Sequence, residues 1–265
     1  MRTYHCYSVV VLIGLAFVTL SCDVVDLPQT GSVPDNGEGV QKLAGRTAVI
    51  SAQTFAQAVV VILPAKDLQA IFEYGLPAPV CPSLGVELGS NTIGLTLEYG
   101  TGCPPTAFPL SSLEGTVEGT SYIVFNAFDF ELEDVAVDGS SLSGSIAGGF
   151  TLAAETTSFT LTVTLFLSDG TKVAGSGSVR LDNQAGRITI EDADLTVVYP
   201  GGGSYAIVLR KVVCDPANSG RFVPTGGEAT VVLEEDDQEP GERPFSLTFT
   251  NQTPIDGTVA IQPGS

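Results

Sequence analysis

Ser158-Phe-Thr-Leu-Thr-Val-Thr-Leu-Phe-Leu-Ser168 decides the fold class. Phe159, Leu161, Val163, Leu165 and Leu167 share one parity, and Thr160, Thr162 and Thr164 share the other. Successive side chains of an extended chain point to opposite faces, so a period of two marks a strand with one face buried and one wet. The same alternation runs from Leu113 to Val213, broken by short turns rich in Gly, Asp and Asn. Asp138-Gly139 and Asp169-Gly170 are hairpin signals. Asp182-Asn-Gln-Ala-Gly186 and Pro200-Gly-Gly-Gly203 are longer turns.

Working outward, strands are expected over 92–99, 113–125, 128–137, 142–154, 159–167, 172–181, 187–199, 205–213, 229–233, 245–249 and 258–261. Twice the apolar parity flips inside a segment. Phe128, Phe130 and Leu132 share one phase, and Val135 and Val137 the other. Ile188 and Ile190 likewise differ from Leu195, Val197 and Tyr199, with Asp192-Ala-Asp194 at the switch. A flip inside a strand predicts a β-bulge. The echo of Glu131-Leu-Glu-Asp-Val-Ala-Val137 in Glu191-Asp-Ala-Asp-Leu-Thr-Val197 suggests a duplicated half or a shared hairpin grammar. The expected fold is mainly β: an antiparallel meander forming a barrel, a large sandwich or a curved sheet. A membrane-spanning barrel has a similar period. The absence of Trp, the helical segment and the acidic run near the C-terminus argue against it.

The helical segment lies at 40–75. Phe55, Ala58, Val59 and Ile62 fall at helical spacing, as do Leu68, Ile71 and Phe72. Pro64 ends the first set, although Val59-Val-Val-Ile-Leu63 reads equally as a strand, and Gly75 suits a C-terminal cap. The sequence therefore predicts one or two N-terminal helices packed on the sheet, within a single β-rich domain spanning 40–265.

With 11 Lys and Arg against 30 Asp and Glu, the formal charge is −19. Such a chain offers no positive face to phosphates, which excludes nucleic acid as a partner. Attraction to anionic headgroups is excluded on the same ground. Acidity of this kind keeps a protein soluble.

Met1 and Arg2 are followed by an apolar run from Tyr7 to Leu20 and then by Ser21-Cys22. The run is shorter than a bilayer span and fits the apolar core of a signal peptide. It resembles the signal of bacterial lipoproteins, in which a small residue precedes a Cys that is acylated and becomes the first residue of the mature chain. That resemblance implies a signal peptide over 1–21, lipidation of Cys22, and a membrane anchor carrying fatty acyl chains such as palmitate. The family usually places Leu three residues before the Cys, where this chain has Thr19. In enteric relatives of this family an Asp after the Cys, here Asp23, resembles a mark for inner-membrane retention. Cleavage before Cys22 removes Arg2 and the only histidine, His5, leaving 10 cations and 30 acids, a charge of −20. Residues 22–39 are rich in Pro, Gly, Asp and Asn and read as a flexible tether. The Gly100-Thr-Gly-Cys103 turn after a strand also resembles one found in uncharacterised envelope lipoproteins of the β class.

The mature domain keeps Cys81, Cys103 and Cys214. An oxidising envelope favours pairing. Cys81 with Cys103 is the preferred disulfide, since the two flank one strand, and Cys103 with Cys214 is the alternative. The chemistry available is limited. Without histidine there is no Ser-His-Asp or Cys-His catalysis and no imidazole zinc site. No Cys-x-x-Cys and no Gly-x-Ser-x-Gly occurs. Gly175-x-Gly177 lies within a strand pattern and reads as close packing. Carboxylates remain, at Asp129, Glu131, Glu133 and Asp134 and at Glu191, Asp192 and Asp194. Paired acids cleave glycosides, but acids alternating along a strand are normally its solvated face. Glu234-Glu-Asp-Asp-Gln-Glu239 lacks the spacing of a calcium loop and reads as a charged hairpin. Tyr122, Tyr199 and Tyr205 are the residues available to stack on a sugar.

The expectation is a non-enzymatic lipoprotein of the bacterial cell envelope. It would be anchored to a membrane through lipid, with its domain in the periplasm or at the surface, in a structural or protein-interaction role with an envelope protein. The alternatives are a carrier of a hydrophobic ligand in a β-barrel cavity and a carbohydrate-binding or carbohydrate-cleaving domain. No cofactor and no metal are expected.

Overall fold

The computed structural model describes the backbone of residues 37–74, 82–89, 92–103, 113–122, 127–137, 140–153, 155–214, 222–234, 244–250 and 261–263. Side chains are described over the same residues except 37–40, 64–74, 101–103, 233–234 and 261–263. All of them fall within one compact unit, Gly31–Ser265. The signal peptide, Cys22 and most of the tether lie outside the described residues.

One helix, α1 (Gly37–Tyr74), precedes twelve strands. These are β1 (Ser83–Leu88), β2 (Ile93–Cys103), β3 (Leu113–Tyr122), β4 (Ala127–Val137), β5 (Ser140–Leu152), β6 (Thr156–Leu167), β7 (Lys172–Asp182), β8 (Ile188–Val198), β9 (Ser204–Cys214), β10 (Pro224–Glu234), β11 (Phe245–Phe249) and β12 (Ile261–Pro263). Every strand pairs antiparallel with its sequence neighbour, so strand order in the sheet equals strand order in the chain. Among the described residues β1 and β12 do not pair. Of the three architectures expected, the chain adopts the curved open sheet.

The inner face is apolar and the outer face polar. In β6, Phe159, Leu161, Val163 and Leu165 are buried while Ser158, Thr160 and Thr162 are exposed. A membrane-spanning barrel has the reverse arrangement, with its apolar band outside. On β4 to β6 the inner face is filled by Phe128, Phe130, Phe150 and Phe159, whose neighbouring ring centroids lie 5.4 to 6.3 Å apart. Gly175 and Gly177 also face inward, and a Cβ on Gly177 would stand 2.5 Å from that of Ala193, so the close-packing reading holds.

The helix departs from expectation in two ways. It is one continuous helix that runs through Pro64, where the first apolar set was expected to end. Proline withholds an N–H and costs a helix about 3 kcal/mol. Burial of the apolar stretch before it offsets this, at about 1.5–3 kcal/mol for each large side chain. The helix is also not laid on one face of a flat sheet. Between Ala44 and Leu63 only Arg46, Ile50, Gln53 and Gln57 are half-exposed, and every other residue is buried. Those four are spaced by four, three and four, which is one narrow stripe of an α-helix. The curved sheet sheathes the helix on all other sides, packing most closely through β8, β9 and β10.

Both parity flips are bulges. In β4, Glu133 and Asp134 are both exposed while Leu132 and Val135 both face inward, and Asp134 takes a φ of 48°. In β8 the register slips at Glu191, and opposite it Lys211 in β9 takes a φ of 51°. Neither bulge is isolated. The first continues into β3 at Gly115 and β2 near Gly100, and the second into β10 at Gly227. Bulges raise the local twist and bend a strand. Two lines of them, one through β2–β4 and one through β7–β10, mark where the sheet curls round the helix. The echo between the two acidic segments is the sequence of a bulged strand, used twice.

Candidate functional site

The acidic residues singled out above fall on the outer face in two different environments. Glu191, at the β8 bulge, meets Arg180 from β7 at 3.1 Å and Lys211 from β9. Asp192 pairs with Arg210, its cross-strand neighbour. Arg210 in turn stands opposite Glu228 on β10. Glu191 and Lys211 are the extra residues of facing bulges, so the two irregular strands are tied at their irregularity. These carboxylates are paired with cations held in register and form an ion-pair row on the outer face.

Asp129, Glu131, Glu133 and Asp134 are exposed on β4. From Asp67 to Thr171 the sequence contains no Lys, Arg or His. Glu131 stands directly opposite Glu118 of β3, and Glu133 opposite Thr116. Thr116 also neighbours Glu98 of β2, whose carboxylate accepts a hydrogen bond of 3.1 Å from the Ser83 hydroxyl of β1. The outer face of β1–β4 is thus acidic without a cation of its own among the strands, and like charges directly opposite one another oppose pairing. The sequence shows this asymmetry as the cation-free stretch.

The tyrosines do not form a stacking platform. Tyr205 is buried, and Tyr199 packs edge-on against it with ring centroids 5.8 Å apart. The Tyr199 hydroxyl shares a 2.8 Å hydrogen bond with Thr47 Oγ1 of the helix. Burial raises its pKa. Tyr99 on β2 plays the same part, donating to the Val61 carbonyl at 2.9 Å. Both are struts between sheet and helix. Tyr122 alone is exposed, at the end of β3. Thr47 and Ser51 donate to the carbonyls of Leu43 and Thr47 in their own helix, and so bury their hydroxyls without cost to the core. Thr171 Oγ1 is buried without a partner.

Cys214 is a free thiol, wholly buried, so its pairing with Cys103 does not occur. β2 and β9 are separated in the sheet by six intervening strands, and the Cys214 thiol lies in the core. Burial pushes its pKa up to about 12. The preferred Cys81–Cys103 disulfide involves side chains outside the described residues, and so does most of the acidic run 234–239. Among the described residues no group of three or more His, Cys, Asp or Glu is placed to hold a metal ion.

The unpaired edge of the sheet is the feature that the reading by motifs missed. β1 alternates as regularly as any strand, with Leu84, Val86 and Leu88 aligned with the buried Leu97, Leu95 and Ile93 of β2. Yet Val86 is 39% and Leu88 77% exposed.

These features define a class by architecture: an open antiparallel meander curled round its own buried N-terminal helix. No family model matches the chain, and neither a curated protein nor a solved structure matches it.

Proposed function

We propose that this chain is a non-enzymatic lipoprotein of the bacterial cell envelope, held to a membrane through acylated Cys22 and acting through its folded surface on an envelope protein partner. The observation that carries this reading is the helix inside the sheet. Phe55, Val59 and Ile62 occupy the apolar interior that a carrier of hydrophobic ligands would reserve for its cargo. The ion-paired state of Glu191 and Asp192 speaks against catalysis by that acidic cluster. What remains is a mostly polar outer face and a sheet edge, the parts through which β domains bind other proteins.

Native mass spectrometry of the protein extracted from membranes in detergent tests the reading. A species corresponding to Cys22–Ser265 plus acyl chains, with no further adduct, is the expected result. An unlipidated mass beginning elsewhere would overturn the anchor. A discrete bound lipid on the same species would bring the carrier reading forward in its place.

A further inference from the structure

We infer that the β1 edge is a docking strand that accepts an extended segment of a basic partner protein, which adds itself to the sheet beside Ser83–Leu88. The inference rests on the interaction role proposed above and names its site and the chemistry of its partner.

The two ends of the sheet are built differently. β12, at one end, is three residues long and finishes at Pro263. A short edge strand carrying proline is a common way to prevent further pairing. β1, at the other end, has six residues and contains neither Lys nor Pro. Among the described residues it pairs with β2 alone, which leaves the N–H and C=O groups of its outer side without a strand partner there. Its inward row, Leu84, Val86 and Leu88, continues the apolar inner face of β2 but is left largely open. An added strand with apolar residues at alternate positions would cover that row while satisfying the backbone.

Charge selects the occupant. The outward residues nearest the edge are Ser83, Gly85 and Glu87, followed inward by Glu98, Glu118 and Glu131, with no cation on β1–β4. A strand with Lys or Arg at its outward positions would place one cation opposite Glu87 and the others in the field of the remaining acids. A second copy of this chain is the poorer occupant. Each copy carries a formal charge of −19, and edge-to-edge pairing would bring two acidic faces together.

The test uses the full chain and two synthetic seven-residue peptides, one alternating Lys with Val and the other Glu with Val. Fluorescence anisotropy should show the Lys peptide binding, weakening as salt rises, and the Glu peptide binding at least tenfold more weakly. Amide exchange at 83–88 should slow when the Lys peptide is present. Glu87→Lys should weaken the Lys peptide at least tenfold, and Leu88→Lys should weaken both peptides. Both positions are exposed, so unchanged melting temperatures check that these variants remain folded. Equal binding of the two peptides, no binding of either, or full affinity in Glu87→Lys would each overturn the inference. So would a dimer in sedimentation whose 83–88 amides are already protected without peptide, since the edge would then belong to a second copy. The two readings fail separately: an unlipidated mass removes the anchor and leaves this edge standing, while a silent edge leaves the anchor untouched.

Discussion

Tyr99 and Tyr199 lie on one cross-strand row of the sheet yet hold the helix fourteen residues apart, at Val61 and Thr47. The row runs from Tyr99 through Gly115, Val135, Leu142 and Leu167 to the end of β8, bulges included. Six strand spacings of ~4.8 Å make a lateral path of ~29 Å. Fourteen residues of helix rise ~21 Å. A row perpendicular to the strands climbs by that much only if the strands tilt about 45° to the helix axis, which is the tilt of closed β-barrels. The open sheet therefore follows barrel geometry, with the helix as its axis.

The two struts should differ in strength. Tyr199→Phe leaves Thr47 Oγ1 still bonded to the Leu43 carbonyl, so its cost should be about 0.5–1.5 kcal/mol. Tyr99→Phe removes the hydroxyl that donates to the Val61 carbonyl, at a site where both residues are buried. Its cost should be about 1–3 kcal/mol. Denaturant unfolding of both variants measures the order, and equal costs would count against the strut at Tyr99 being the stronger.

The bulge lines make a sharper prediction about glycine. Gly115 and Gly227 have φ of 95° and 100°, and a Cβ on either would run into a backbone carbonyl, that of Asp134 or Lys211. Gly202, in the β8–β9 turn, has φ of 84° with nothing near its missing side chain. Gly202→Ala should cost only the strain of a left-handed residue, about 1–2 kcal/mol. Gly115→Ala and Gly227→Ala add a backbone collision and should each exceed this by about 1–3 kcal/mol. Chemical denaturation of the three single variants checks the difference.

The half-buried strands were legible because each carries its own evidence. Phe159 to Leu165 alternates without error, and the parity flips between Leu132 and Val135 and between Ile190 and Leu195 predicted the bulges before any register was known, although the second lies at Glu191, just before the Asp192-Ala-Asp194 where the switch was placed. The helix was harder for a physical reason. A single apolar stripe such as Phe55, Ala58, Val59 and Ile62 signals one packed face, whereas Val60, Val61 and Leu63 are buried too because the sheet returns round the other side. Nothing local records that return. Strand β1 was missed although Leu84, Val86 and Leu88 alternate between Pro82 and Gly89, a pattern of the same kind as the shorter strands that were expected. The ion pairs of Glu191 were not legible either. They depend on Lys211 standing opposite Glu191 across β8 and β9, and that register becomes countable only once the strands are paired.

The buried groups should make the fold sensitive to alkali. Burial raises the pKa values of Tyr99, Tyr199 and Cys214, so the folded state holds protons that the unfolded state gives up. For Cys214 the stabilisation is complete below the ordinary thiol value of 9.0 and is lost as the pH rises from there towards about 12. The slope should approach about 1.4 kcal/mol per pH unit from this group alone. Cys214→Ala should lower stability at neutral pH, through lost packing, and flatten its decline between pH ~9 and ~10, before tyrosine ionises. Urea midpoints from pH ~7 to ~10 test this, and parallel curves for the two proteins would show that the thiol does not titrate on unfolding.

The outer ion-pair row and the inner helix should respond on different scales. Arg180 is 54% and Lys211 74% exposed, and pairs of that kind contribute roughly 0–1 kcal/mol. Arg180→Met and Lys211→Met should therefore cost less than about 1 kcal/mol each, and less still at high salt. Phe55, wholly buried between helix and sheet, should cost about 3–5 kcal/mol on substitution by Ala, whatever the salt. Thermal melts at low and high salt compare the three. Should Lys211→Met prove as damaging as Phe55→Ala, the bulge at Glu191 and not the helix would be the element that holds the curl together.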